Sequence, residues 1–341
     1  MEGEQKQNAE NNKEKEEKPV EYHESITDPK EIQALEQFKN SVATITDKKD
    51  KAVLDPFVLL DNDFLIHFLR ARKLNIKKAT KMLLDYYHWK AKMNLDYLYT
   101  DYIFKEKLKL QLLFPHGFHK YTKEGYPLYF QIVGQLNPDE LFKLGTPEEI
   151  TKYSVSIYEK LERDYFKMCS QIKQSYIHGV FNIVDFNGIN SSILNKKLLS
   201  YLKETLKICQ DYYPESLAGC YVLNANLLFR SFYTTVKVFI DSKTKSKIKV
   251  FGTDYKNGLL ERIDKENLPK FFGGECECPG GCLFSNAGPW KKPEEDNEVI
   301  PEDILKRRKE IIDIMTFGKN KIAPEQQLKN TGKEGVNIED I

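Results

Sequence analysis

The chain has 341 residues, 40% of them apolar, with 52 basic side chains set against 51 acidic ones. That length accommodates a domain with a sizeable core plus a smaller lobe, and a net charge of +1 excludes the basic excess of a general nucleic-acid binder. No run nears the roughly 18–20 apolar residues that cross a bilayer.

The polar opening MEGEQKQNAENNKEKEEK is no secretory signal, Glu2 rules out N-myristoylation, and the end carries no prenylation box. Six Cys in that context read as reduced thiols. These features predict a soluble, cytosolic monomer without a nucleic-acid partner. Residues 1–27 contain almost nothing apolar that would offset the entropy of ordering them, which predicts a disordered polar tail.

Residues 28–112 read as a helical lobe. Asp61-Asn62-Asp63 supplies N-cap side chains for a helix carrying Phe64, Leu65, Phe68 and Leu69. Asn75 can cap a second, with Ile76, Ala79, Leu83, Tyr86 and Lys90 spaced three or four apart. Over 113–290 the pattern changes. Pro127-Leu-Tyr-Phe-Gln-Ile-Val133 follows a turn at Gly125 and reads as a strand, as do Gly179 to Phe186, Cys220 to Leu223 and Ile248 to Phe251. Helical stretches fill 148–173, 192–210 and 227–240. Strands alternating with long helices predict βαβ units, hence an α/β domain with a mixed, largely parallel sheet. Residues 291–341 are again polar and read as a mostly disordered tail, with room for one short helix from Ile304 to Met315.

An α/β scaffold invites an enzymatic reading, but the dinucleotide and P-loop glycine patterns and the G-x-S-x-G elbow are all missing. Asp185, at a strand end, reads as a cap or turn former. The six His are scattered, with no carboxylate motif beside His116 and His119. Cys276, Cys278 and Cys282 lie in GGECECPGGC, one ligand short of a structural zinc site, with no fourth Cys or His nearby. They predict a tight loop with no metal. No catalytic constellation and no cofactor emerge.

An ordered set of motifs resembles the CRAL-TRIO (Sec-fourteen-type) family of phosphatidylinositol transfer proteins. It comprises Phe68-Leu-Arg-Ala-Arg-Lys73, Gly125-Tyr-Pro-Leu-Tyr-Phe130, Asp185-Phe-Asn-Gly-Ile189, Tyr212-Tyr-Pro-Glu-Ser216, Asn267-Leu-Pro-Lys-Phe-Phe-Gly-Gly274 and Gly288-Pro-Trp290. Together these span nearly all of the folded part. The resemblance implies a helical N-terminal lobe on a domain whose sheet and flanking helices enclose a lipid. It implies headgroup contacts from Arg72, Lys73, Glu215, Thr244 and Lys247. A phosphodiester needs cations and donors, and inositol hydroxyls need a carboxylate acceptor. In Lys243-Thr-Lys-Ser-Lys-Ile-Lys249 an extended backbone would align all four lysines on one face, about 7 Å apart.

The resemblance also implies a gate helix over 227–240, with Phe229, Phe232, Val236, Phe239 and Ile240 among apolar residues around much of its circumference. The family's second site, for phosphatidylcholine, maps onto Tyr129, Tyr158 and Asn182. Val180 and Phe118 stand where hydroxyl-bearing residues would be, which implies weak choline-lipid binding. The function implied is exchange of phosphatidylinositol between membranes, with transient docking on a Golgi or other endomembrane surface and a lipid kinase as a further partner. Carriage of a tocopherol, retinoid or sterol, or service as a lipid-sensing scaffold, are the alternatives on the same fold.

Overall fold

The computed structural model describes residues 21–293, 299–317 and 334–341. Most of the predicted N-terminal tail, residues 1–20, therefore lies outside the described residues.

The lobe forms as its caps and periodicity dictate. Asp61 accepts from the Phe64 amide at 2.8 Å and starts the helix Asn62–Ala71, and Asn75 accepts from the Lys78 amide at 3.0 Å and starts Ile76–Met93. These pack with the helix Pro29–Ala43 around Phe38, Leu65, Phe68, Leu69 and Leu83, all fully buried. The lobe begins earlier than the predicted boundary at residue 28. The Glu24 amide donates to Asp63 at 3.0 Å, and Arg70 pairs with both Glu24 and Glu31. A polar segment is ordered here by charged partners on the helix beneath it.

The sheet has six strands: β1 (His116–Tyr121), β2 (Pro127–Ile132), β3 (Val180–Asp185), β4 (Leu217–Leu223), β5 (Ile248–Val250) and β6 (Val336–Asn337). Their spatial order follows the chain, β1 to β6; β2 through β5 are parallel and the two outer strands antiparallel. Parallel strands added always on the same side, through right-handed crossovers, place every crossover helix on one face of the sheet. Those helices are Pro147–Lys160, continued through a π turn into Phe166–Lys173, then Lys196–Tyr212 and Leu227–Val236.

The opposite face is a dry core. Leu128, Phe130, Phe181, Ile183 and Leu223 meet Leu259, Leu268, Phe272 and Leu283 from the segments that follow β5. Of the C-terminal stretch read as a mostly disordered tail, residues 294–298 and 318–333 lie outside the described residues, and the short helix read over Ile304 to Met315 is present. Glu302–Phe317 is a helix whose Ile311 and Met315 complete this core, and the last residues add β6, with Ile338 buried beside it. Few apolar residues per turn suffice when each one lands on an existing apolar surface.

Two further expectations change. The lysine run is not extended: Ser242–Ser246 is a helical turn, started by Asp241 accepting from the Thr244 amide at 2.9 Å, and only Ile248–Val250 is strand. The four lysines therefore do not share one face. The gate helix, read as apolar nearly all round, is amphipathic; Phe229, Tyr233 and Val236 are buried while Ser231, Thr234 and Thr235 are exposed.

Candidate functional site

On the helix-covered face the strands present two cross-sheet rows of side chains, alternating with the dry core. One row runs Phe118–Tyr129–Asn182–Cys220–Ile248, and the next His116–Gln131–Val184–Val222–Val250. Facing them are hydroxyl groups from the helices. Ser154 and Tyr201 share a hydrogen bond of 2.9 Å, the Cys209 thiol donates to the Tyr158 hydroxyl at 3.0 Å, and His116 Nε2 meets the Tyr153 hydroxyl at 3.2 Å.

Burial pushes the phenols of Tyr129, Tyr158 and Tyr201 upward from the ordinary tyrosine range, the first two far above it. Each nonetheless keeps part of its surface accessible. Both conditions hold together for side chains that line an internal hollow rather than a packed core. The structure thus brings Tyr129, Tyr158 and Asn182 to one enclosed space, and the Asn182 side-chain oxygen is buried with no hydrogen-bond partner among the described residues. Val180 and Phe118 border the same space and bring no polar atom to it.

Beside this hollow lies a charged cluster. Glu215 takes a left-handed φ of +62° and lies between two ammonium groups. Lys243 Nζ is 2.6 Å from one carboxylate oxygen and Lys247 Nζ is 3.7 Å from the other. Lys247 also donates to the Leu217 carbonyl at 2.6 Å, and the Leu217 side chain packs against the Tyr129 and Tyr158 group. Burial lowers the Lys247 pKa, and Glu215 opposes that shift. Two cations on one carboxylate leave a net positive charge that suits a phosphodiester.

Thr244 sits on the same turn as Lys243, its hydroxyl donating to Asp241 at 2.6 Å. Arg72, at the end of its helix, is 3.8 Å from Asp211, four residues before Glu215. Lys73, exposed at φ +51°, makes no ion pair or hydrogen bond with the other four. The tight group is therefore Glu215, Lys243 and Lys247, with Thr244 on the turn between the lysines and Arg72 nearby. Lys243 was legible only as one member of a lysine run, because its pairing needs Glu215 from a distant loop.

The gate segment borders the hollow from the side, packing Phe229, Phe232, Val236 and Ile240 against Phe186, Cys220 and Val222. Its end is latched by Gln210, which donates to the Phe239 carbonyl at 2.7 Å and accepts from the Asp241 amide at 2.9 Å. On its outer surface Leu227 and Val238 are 51% and 72% exposed. A separate open cleft of about 1050 Å³ lies between lobe and domain. Its wall is mixed in charge, with Asp61, Asp63, Glu159 and Glu162 beside Lys90, Arg163 and Lys167.

The thiols correct the sequence reading. Cys276, Cys278 and Cys282 do have a fourth companion: His119 of β1, fully buried, whose ring nitrogen joins the three sulfurs within a mutual distance of 4.8 Å. The ligand count that was one short along the chain is complete in the fold.

The CRAL/TRIO domain model matches residues 114–274, and the model of its N-terminal domain matches 34–85. The Sec14 cytosolic factor of Schizosaccharomyces pombe is 35% identical over 239 residues, covering 70% of this chain and 83% of that protein. The phosphatidylinositol/phosphatidylcholine transfer protein SFH9 of Arabidopsis thaliana is 32% identical over 290 residues. That match takes in 84% of this chain but 49% of SFH9, so the chain spans about half of that relative's length. The crystal structure of Sfh5 superposes with a TM-score of 0.59 at 18% identity, covering 85% of this chain and 98% of that one, which speaks to the fold alone.

Proposed function

The chain belongs to the CRAL/TRIO family, and we propose that it is a non-enzymatic carrier that takes a phosphatidylinositol-class lipid from one membrane and delivers it to another. The observation that carries this reading is the Glu215–Lys243–Lys247 cluster set against an enclosed hollow. The lysines suit the phosphate, the Glu215 carboxylate suits inositol hydroxyls, and the apolar row residues suit acyl chains. Charge-assisted contacts of this kind strengthen out of water.

Burying about 30 acyl methylenes recovers roughly 25 kcal/mol relative to water, at about 0.8 kcal/mol each. A bilayer offers nearly the same, so exchange is close to neutral and the protein acts on the barrier. Opening the gate against a membrane lets the chains slide between two apolar media. No covalent step and no cofactor enter this cycle, and we place it in the cytoplasm with transient membrane contact.

Mass spectrometry of lipids that copurify with the protein from its native source tests the reading. Phosphatidylinositol at near-stoichiometric amount is the expected outcome. A sterol, tocopherol or retinoid as the main ligand would overturn it.

A further inference from the structure

His119 and the three thiols play no part in the lipid reading. The four come from two separate stretches: the Cys278 sulfur and His119 Nδ1 lie 4.0 Å apart across 159 residues of chain. Cys276 and Cys278 bring their sulfurs to 3.8 Å. An ion with metal–sulfur bonds of about 2.3 Å in tetrahedral geometry sets its sulfurs about 3.8 Å apart, and a nitrogen slightly nearer. The observed spacings approach those of such a ligand set: one sulfur pair already stands at 3.8 Å and all four atoms lie within 4.8 Å of one another, so loading draws the remaining groups in by up to about one ångström.

The backbone is shaped for the same purpose. In Cys278-Pro-Gly-Gly-Cys282 the Gly281 amide donates to the Cys278 carbonyl at 2.9 Å, and Gly280 and Gly281 both take positive φ, +72° and +90°. The chain therefore turns back on itself and returns Cys282 to the first two thiols. The Cys278 amide points at the Cys282 sulfur at 3.3 Å, a contact that supports a thiolate. His119 is fully buried, and its polar engagement lies on the Nδ1 side, toward the sulfurs and the Ser285 hydroxyl at 3.3 Å. Its Nε2 has no hydrogen-bond partner among the described residues.

We propose that His119, Cys276, Cys278 and Cys282 bind one zinc ion in a closed Cys₃His site. Four protein ligands leave no open coordination position, so the ion is structural rather than catalytic. Loading exchanges the three thiol protons for the metal, giving zinc bound by three thiolates and a neutral imidazole, with the protons released to solvent. The ion ties the loop 275–290 to β1, which is the edge of the sheet. That loop already packs over the strand and caps its edge: an added Cβ on Gly117 would fall 2.2 Å from the Leu283 carbonyl, and the Lys120 amide donates to the Ala287 carbonyl at 2.5 Å. An exposed edge strand is a site of unwanted pairing, and a metal clip holds the cover in place.

The test uses the full chain, purified under reducing conditions without chelator, and metal analysis by inductively coupled plasma mass spectrometry. One zinc per chain is expected, with loss of the ion in Cys278→Ser and His119→Gln. Protein that arrives without metal is titrated with cobalt(II). The intense visible bands of a tetrahedral thiolate site, saturating at one equivalent, support the assignment even where the variants fold poorly. Metal-free protein that develops no such bands overturns it. Zinc that chelation removes with no fall in melting temperature overturns the fastening role.

Discussion

Glu215 holds a left-handed backbone that a non-glycine residue adopts at a cost on the order of 1–3 kcal/mol. Strain of this kind persists where the surroundings fix it, and here Lys243 and Lys247 fix the carboxylate. Removing either Glu215 or Lys247 by substitution with Ala deletes a charge-assisted contact, about 1.5–3 kcal/mol. Vesicle assays should show phosphatidylinositol transfer reduced by roughly ten- to a hundredfold, with the thermal melt little changed. Transfer at the wild-type rate by both variants would remove the headgroup assignment. At sequence level the five positions assigned to the headgroup rest on the motif resemblance alone; nothing in their local spacing tells Glu215 from an ordinary turn residue. His119 was invisible as a partner of the thiols for the same reason: the sheet brings it there.

His116 makes a second prediction at this scale. Burial pushes its pKa down to about 4 from the ordinary 6.5, with its Nδ1 donating to the Phe114 carbonyl at 2.7 Å. Between those two values the unfolded chain binds a proton that the folded chain refuses. Stability is therefore full above pH 6.5 and falls as pH drops toward 4, by about 1.4 kcal/mol per pH unit and roughly 3 kcal/mol in all. His116→Gln keeps hydrogen-bonding capacity without the titration. Its melting temperature should decline less than wild type across that window, and parallel declines would count against the buried neutral imidazole.

Among the elements, the gate segment carries the sharpest expectation. Leu227 and Val238 face outward while the aromatic side of the helix faces the hollow. Exposed apolar residues on an otherwise polar surface suit contact with a membrane, which the proposed function requires once Gln210 lets go. Val238→Asp forfeits about 1.5 kcal/mol or more of apolar transfer and should slow transfer by about tenfold. Because the side chain is exposed in the closed form, urea unfolding should be unaffected. Elements with strong caps or apolar runs were legible: Asp61 and Asn75 started their helices as read, and β2 to β5 appeared where the apolar runs lie. β1 and β6 were not, since His116-Gly-Phe-His-Lys-Tyr121 mixes polar and apolar residues and Val336–Asn337 is two residues long. The turn at Ser242–Ser246 was misread because alternating lysines imitate a strand, whereas the Asp241 cap decides the backbone.

At the scale of the whole molecule, one topological fact organises the function. Strands added always on the same side leave one face for the dry core and the other for helices that need not fill it. The hollow between sheet and helices is therefore a property of strand order, and side chains in it then choose the ligand. Val180 and Phe118 contribute no donors there, which leaves the Asn182 amide group as the polar side chain in the place of the missing hydroxyls. Under the proposed function, choline lipid should consequently bind more weakly than inositol lipid, to which Glu215 and the lysines offer partners. The most direct measurement is transfer of labelled phosphatidylinositol and labelled phosphatidylcholine between vesicles, run in parallel with the same protein. Rapid transfer of the inositol lipid, and transfer of the choline lipid slower by about a hundredfold for some 3 kcal/mol of missing phosphate contacts, is the predicted result. Transfer of neither lipid above the spontaneous rate would contradict the account.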